Sequence, residues 1–397
     1  MASPRPRATE AVRSDVQYRW RMSEPARWVV LITALLLSFG LAVLYSASAF
    51  DALNNARLDS TLGAFYLRKQ AMFVGIGALV FLIAAKVDAA RLEKFAWHFM
   101  LLAIASMTAV LIFGARHYGS KRFLVGNAVQ PSEFAKLAVI VWVSMLIVKK
   151  AETLRRLTKG LLPFLVIIGL LDILAILEPD LSIAMLFTLV TAMLLYVGGA
   201  RLAHFIFLGA LLLPLVALKA GGFAYVEARI SAFFDPGSAA ETISYQLNQS
   251  LIAVGSGGFW GRGFAQGNQQ MGFLPLPYSD FIAGNIGEEW GFLGLLLVAL
   301  AFAAYGLMGF RIARQARSQF LQLVAIGLTF TTVLTAYLHI GVVIGLLPTT
   351  GLTLPFISYG RSNLVLSLLF TGILVNIGST REKVIGGRAT DPLATPK

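Results

Sequence analysis

Cysteine is absent from the 397 residues, which excludes disulfides, a thiol nucleophile and any cysteine-built metal site. Histidine is nearly as scarce. Its four copies (His98, His117, His204, His339) lack metal-ligand spacing and read as packed or interfacial side chains. Charge is thin too: Asp, Glu, Lys and Arg make up 13% of the chain, too little to clothe a water-soluble surface of this length. No internal repeat is evident, which weakens the inverted-repeat architecture of secondary transporters. No cleavable signal peptide is evident either, and the Arg-rich stretch before Trp28 reads as the tail of a retained first anchor.

Apolar sequence fills the space left by these absences. Hydrophobic residues make up 57% and the mean hydropathy is +0.75. About ten stretches reach or approach the ~20 residues that a hydrocarbon core requires. They lie at 28–49, 70–87, 95–114, 134–148, 161–177, 181–198, 202–218, 286–310, 319–347 and 357–377. Lipid offers the backbone no hydrogen-bond partner, so each span is expected to be helical and the fold class all-α polytopic membrane protein. One membrane domain, 28–378, is expected between two polar, poorly ordered tails, 1–27 and 379–397. A large loop, about 221–285, separates helices seven and eight.

The net charge of +13 could suggest nucleic acid, but its distribution argues for topology instead. With ten spans both termini share a side. Twenty-two of the 33 basic residues fall in the tails and even-numbered connections, against eight in the odd-numbered ones. The positive-inside rule therefore places both termini in the cytoplasm and the 221–285 loop outside. No nucleic-acid partner is expected.

Four segments on that outer side join polar residues and prolines to apolar helices. The first runs from Lys121-Arg122-Phe123 to Gln130-Pro131-Ser132-Glu133 and Lys136. Glu133 and Lys136 are three apart and share a helical face, so a capping box with an ion pair is the structural reading. An ammonium entering an apolar helix nevertheless needs a partner or a charged ligand. The second is Glu178-Pro179-Asp180-Leu181-Ser182, where Asp180 or Ser182 would cap a helix. The third is Leu274-Pro275-Leu276-Pro277-Tyr278-Ser279-Asp280-Phe281. Asp280 there is either a cap for the next helix, with Glu288 and Glu289 near its start, or a carboxylate held for catalysis. The fourth, Pro348 to Ser362, has two prolines, two glycines and one charge, Arg361, and fits a re-entrant segment lining a cavity. In the large loop, 241–254 suits a surface helix. The glycines of Gly255-Ser256-Gly257-Gly258 suit a flexible turn or an anion-binding nest.

Taken in order, these pieces resemble the SEDS proteins (shape, elongation, division and sporulation), the FtsW/RodA type. The matching residues are Tyr45-Ser46-Ala47-Ser48, Gln130-Pro131-Ser132-Glu133 with Lys136, Pro179-Asp180-Leu181 and Tyr245-Gln246 with Gln249-Ser250. The match continues through Gly255-Ser256-Gly257-Gly258, Leu274-Pro275, Asp280-Phe281-Ile282, Ile286-Gly287-Glu288-Glu289 and Gly351 to Gly360, and covers about 28–377. The resemblance implies a peptidoglycan glycosyltransferase that polymerises lipid II at the outer face of the cytoplasmic (inner) membrane. It implies partnership with a class B penicillin-binding protein and other divisome proteins. The N-terminal tail and Tyr245-Gln246 lean towards the division-type member.

By family position Asp280 is the general base; Lys136 with Glu133, Arg122, Arg68 or Lys69, all at or near the outer boundary, would supply cationic help, and Gln249 and Ser358 are further candidates for substrate binding. Lys136, oriented by Glu133, is the favoured diphosphate ligand. No metal cluster is evident, although a divalent cation (Mg²⁺ or Mn²⁺) is compatible with the diphosphate. The chain departs from the pattern at Leu276 and Tyr278, where Glu and His are common, at Ser279 where Thr is usual, and at Arg361, where Gly is usual. A lipid II flippase and a non-catalytic division scaffold are the competing expectations, and Asp172 is the clear intramembrane acid that a transporter would use.

Overall fold

The computed structural model describes residues 16–54, 63–117, 120–124, 129–206, 210, 229, 233–234, 243–385 and 388–389. Ten α-helices organise them: α1 (Glu24–Asn54), α2 (Phe65–Lys86), α3 (Arg91–Phe113), α4 (Pro131–Lys149), α5 (Leu162–Leu177), α6 (Leu181–Val197), α7 (Ile243–Gly257), α8 (Ile282–Arg314), α9 (Gln319–Val343) and α10 (Arg361–Ile377). A π-helical turn, Leu157–Leu161, leads into α5. Seven spans among the described residues are long and apolar enough to cross a membrane, while α6 and α10 are shorter apolar helices. Nine of the expected spans thus coincide with helices. Most of the tenth, 202–218, and most of the loop before 243 lie outside the described residues.

The helix α4 is apolar on every face and sits inside the bundle, buried from Pro131 to Ile147 except for the half-buried Phe134. It packs against α3, α6 and α9. The neighbouring α2, α3 and α5 turn Leu79, Leu82, Leu101, Leu102, Val166 and Ile173 outward, as lipid-facing helices do.

Two expectations needed correction. The strand β1 (Val16–Met22) pairs antiparallel with β4 (Ser379–Ile385), and β5 (Arg388–Ala389) pairs with β4. Parts of both tails are therefore ordered. Pairing ends so remote in sequence requires α1 and α10 to bring them together, which local composition cannot report. The helix expected at 241–254 exists as α7, but it packs on α8 and α9 through Leu247, Ser250 and Ala253 rather than lying alone on a membrane surface.

The glycine run has a specific purpose. Helix α8 breaks at Gly291 (φ 65°, ψ −163°), and residues 258–263 bond across the break. The N–H groups of Arg262 and Gly263 donate to the Glu288 and Glu289 carbonyls, while Phe292 and Leu293 donate to Gly258 and Phe259. A Cβ on Gly257 or Gly261 would strike that backbone at 1.9 or 2.2 Å. Close approach, not flexibility, requires these glycines.

The segment 351–360 is re-entrant, as expected. Phe356, at φ 66°, stacks on Phe302 of α8 with centroids 6.4 Å apart. A Cβ on Gly40, near the middle of α1, would lie 2.7 Å from the Ile357 Cα. Irregular backbone at that depth is tolerable because Leu354 to Ser358 are buried in protein.

Candidate active site

The site lies where α4, α6, α8 and α10 begin and α5 ends. That is the end of the bundle opposite the paired tails, which meet the far end of α8 through Arg317 and the Ser379 carbonyl.

In the first turn of α4, Glu133 and Lys136 are both buried and paired at 2.7 Å. The other Glu133 oxygen accepts from Asn363 Nδ2 of α10 at 3.2 Å. The expected ion pair is present. The capping box is not, since α4 starts with Pro131 after an uncapped Gln130. The Gln130 N–H instead donates to Ser362 Oγ at 3.0 Å, which fastens α4 to α10.

The turn between α5 and α6 carries more than a cap. Asp180 caps α6 by accepting from Ile183 N at 3.3 Å, as expected. Arg122, on the strand β3 (Ser120–Phe123, paired with β2, Ala115–His117), reaches across the same turn. Its Nη1 lies 3.6 Å from Asp180 Oδ2. Its Nε donates to the Glu178 carbonyl at 3.3 Å and its Nη2 to the Pro179 carbonyl.

Neither Ser279 nor Asp280 caps α8. The capping position is Phe281, whose ring cannot accept a hydrogen bond, so the capping reading of Asp280 fails. Asp280 is half-buried. Burial pushes its carboxyl above the ordinary range. Arg122, the Ser279 hydroxyl and Arg229 pull it back down, and Asp180 pushes it further up. Asp180 is likewise raised by burial, against Arg122, its cap bond and Lys136. Asp280, Arg122, Asp180, Lys136 and Glu133 thus share one electrostatic cluster.

Backbone bonds on both sides hold Asp280 in place. Ser358 Oγ donates to the Ser279 carbonyl at 2.8 Å and accepts from Leu354 N, while Tyr359 N donates to the Tyr278 carbonyl at 2.9 Å. Gln70 Nε2 anchors the Ser358 carbonyl at 3.0 Å. Tyr66, Tyr278 and Tyr359 group their rings 4.4–5.9 Å apart. A hydroxyl chain runs from Tyr278 to Tyr66 to Asp51.

Of the other expected site residues, Lys69 places its ammonium 4.1 Å from the Phe65 ring centroid. Gln249 is half-buried on α7 beside Ser250, which fastens α7 to α9 through the Val343 carbonyl. No hydrogen bond or ion pair among the described residues joins either to Asp280. Ser358 turns out to be a clamp on the Asp280 segment. Two contributors escaped notice in the sequence. Asn363 sits on an apolar helix, and Arg229, whose Nη1 donates to the Thr349 carbonyl at 2.8 Å, was one basic residue in a long loop. Among the described residues no group of three or more carboxylates or histidines could hold a metal ion.

A family model described as "Cell cycle protein", for FtsW, RodA and SpoVE, matches residues 27–383. The chain belongs to the FtsW/RodA/SpoVE family. A probable peptidoglycan glycosyltransferase FtsW of Trichlorobacter lovleyi is 35% identical, over 91% of this chain and 94% of that relative. Stage V sporulation protein E of Bacillus subtilis is 34% identical, over 90% and 98%. Among solved structures, a chain of a peptidoglycan synthase complex that coordinates polymerization and crosslinking has the same fold, with a TM-score of 0.72 at 22% identity over 88% of this chain and 96% of that one. Thermus thermophilus RodA gives 0.63 at 21% identity, over 88% and 95%. This family member is accordingly a multi-pass membrane protein.

Proposed function

We propose that this FtsW/RodA/SpoVE-family chain is a peptidoglycan glycosyltransferase that polymerises lipid II at the outer face of the cytoplasmic membrane. Asp280 is its general base. The observation that carries the proposal is Asp280 itself: a half-buried carboxyl on a backbone clamped by Ser358 and Tyr359, with a raised proton affinity that Arg122 opposes, and excluded from any capping role. An ordinary carboxylate is a poor base towards a hydroxyl, and burial corrects that.

In the reaction, Asp280 takes the proton from the 4-hydroxyl of the acceptor sugar as that oxygen attacks the anomeric carbon of the donor. The bond to the diphosphate breaks, and the single displacement inverts the anomeric centre. Diphosphate is a competent leaving group, so the second carboxylate of glycosidases is not required. Its developing charge calls for cations. Arg122 is the stronger choice, because it acts directly on Asp280, whereas Lys136 is committed to Glu133 and acts on Asp180. Among the described residues the carboxylates beside Arg122 do not group as a set of three metal ligands, and no step is assigned to a divalent cation.

A class B penicillin-binding protein is the partner, in keeping with the synthase complex whose chain shares this fold. The FtsW-named relatives favour a septal role, and the basic asymmetry favours termini in the cytoplasm. A transporter reading would rest on Asp172 of α5, which accepts from Thr188 of α6 at 2.8 Å.

The test is polymerisation of labelled lipid II by the purified chain with its cognate transpeptidase, comparing wild type with Asp280→Asn. Polymer from wild type alone supports the base, and equal polymer from both removes Asp280 from the mechanism. Lipid translocation without polymer would establish the transporter.

A further inference from the structure

Glu178 ends α5 and is fully buried. Among the described residues it is the one buried carboxyl whose two oxygens both lack a hydrogen-bond partner. Arg122 is close by, yet its ion pair and hydrogen bonds go to the Asp180 carboxylate and to the Glu178 and Pro179 carbonyls, not to the Glu178 carboxyl. Asp180 adds a like charge on the same turn. Lys136 and Glu133 of α4 also act electrostatically on Asp180, and Arg122, Arg229 and Asp180 act on Asp280. A buried, unpartnered carboxylate beside another acid is expensive to ionise.

We propose that Glu178 is a positioning residue that acts through Arg122: it works as the uncharged acid, and its neutrality leaves Arg122 to Asp180 and to the diphosphate beside Asp280. An ionised Glu178 would draw Arg122 out of that arrangement. The inference rests on the glycosyltransferase reading, and it adds a second ionisation to the site with the opposite sense to the base. Burial, then Asp180, raises the Glu178 carboxyl to about 8, with Arg122 opposing. Activity therefore needs Asp280 ionised and Glu178 protonated.

The experiment is the pH profile of lipid II polymerisation by the complex of full chain and transpeptidase, for wild type, Glu178→Gln and Asp280→Asn. Glutamine keeps the shape and the neutral state, so Glu178→Gln is expected to hold the wild-type rate near pH 7 within about twofold. By pH 9 wild type should have lost about tenfold, and Glu178→Gln should have lost far less. Superimposed wild-type and Glu178→Gln profiles would overturn the inference, as would an inactive Glu178→Gln that still folds and binds its partner. Should Glu178→Gln fail to fold, infrared difference spectra of the wild-type complex decide: a protonated-carboxyl band lost with a midpoint near 8 is expected, and its absence sinks the idea. Retained activity in Asp280→Asn would instead overturn the glycosyltransferase mechanism and leave the Glu178 comparison readable by itself.

Discussion

Asp280 and Glu288 stand either side of the first turns of α8, close in sequence and opposite in circumstance. Glu288 is saturated: its oxygens accept from Asn268 N at 2.8 Å and Gln269 N at 3.1 Å, and Arg262 lies 3.7 Å away. Its neighbour Glu289 accepts from Ser46 of α1. Asp280 has a hydroxyl neighbour in Ser279 and otherwise faces charges. One pair of carboxylates is consumed in holding loop 262–270 against the α8 break. The other acid has its proton affinity raised by burial against the pull of Arg122, Ser279 and Arg229, which leaves it fit for chemistry.

The sharpest way to break this comparison is to neutralise each acid. Asp280→Asn should cut polymer formation at least ~100-fold. It should leave thermal stability equal or slightly higher. A carboxyl whose folded proton affinity is raised contributes stability only at pH below its unfolded value, and that contribution is lost as pH rises through the folded one. Once pH rises through the raised Asp280 value, the ionised carboxylate weighs against the fold, and Asn relieves it. The same shift makes wild-type activity fall as pH drops through the raised Asp280 value. Glu288→Gln should do the reverse, costing about 2–3 kcal/mol of stability through lost charged bonds while activity per folded molecule survives. A stable but inactive Glu288→Gln would erase the distinction.

Next in size is Lys136→Met, which leaves Glu133 buried and unpaired and should cost about 3–5 kcal/mol. Adding Glu133→Gln should return most of that stability. Polymerisation stays low in the double variant if the pair serves substrate, and returns with stability if it serves only the fold. The smallest effect is expected from Tyr66→Phe, which removes the hydroxyl between Asp51 and Tyr278 but keeps the ring. Loss of a few-fold in kcat with unchanged KM for lipid II would tie the tyrosine cluster to Asp280, whereas wild-type kinetics would detach it.

The helical spans were legible because lipid imposes length and apolarity on each segment independently, and α1, α3 and α8 follow that pattern. The Glu133–Lys136 pair was legible because residues three apart on a helix are neighbours. The Asp180 cap was legible for a similarly local reason. Other features depend on contacts between distant segments. Arg122 is 58 positions before Asp180, and the Ser358 hydroxyl closes on Ser279 from the other side of α9. The glycine at 257 suited a flexible turn or a nest because the α8 backbone it nestles against is 30 residues further on.

By itself the sequence determined the membrane class, the spans and the basic asymmetry, because each depends on composition or short-range periodicity, whereas the candidate base followed from the family resemblance. Only the tertiary structure decided that Asp280 caps nothing, that the Glu178–Asp180 turn shares Arg122 with it, and that Glu288 is spent on a break in α8. Whether a carboxylate is structural or reactive depends on how many donors reach it, and those donors arrive from segments that only the packed bundle brings together.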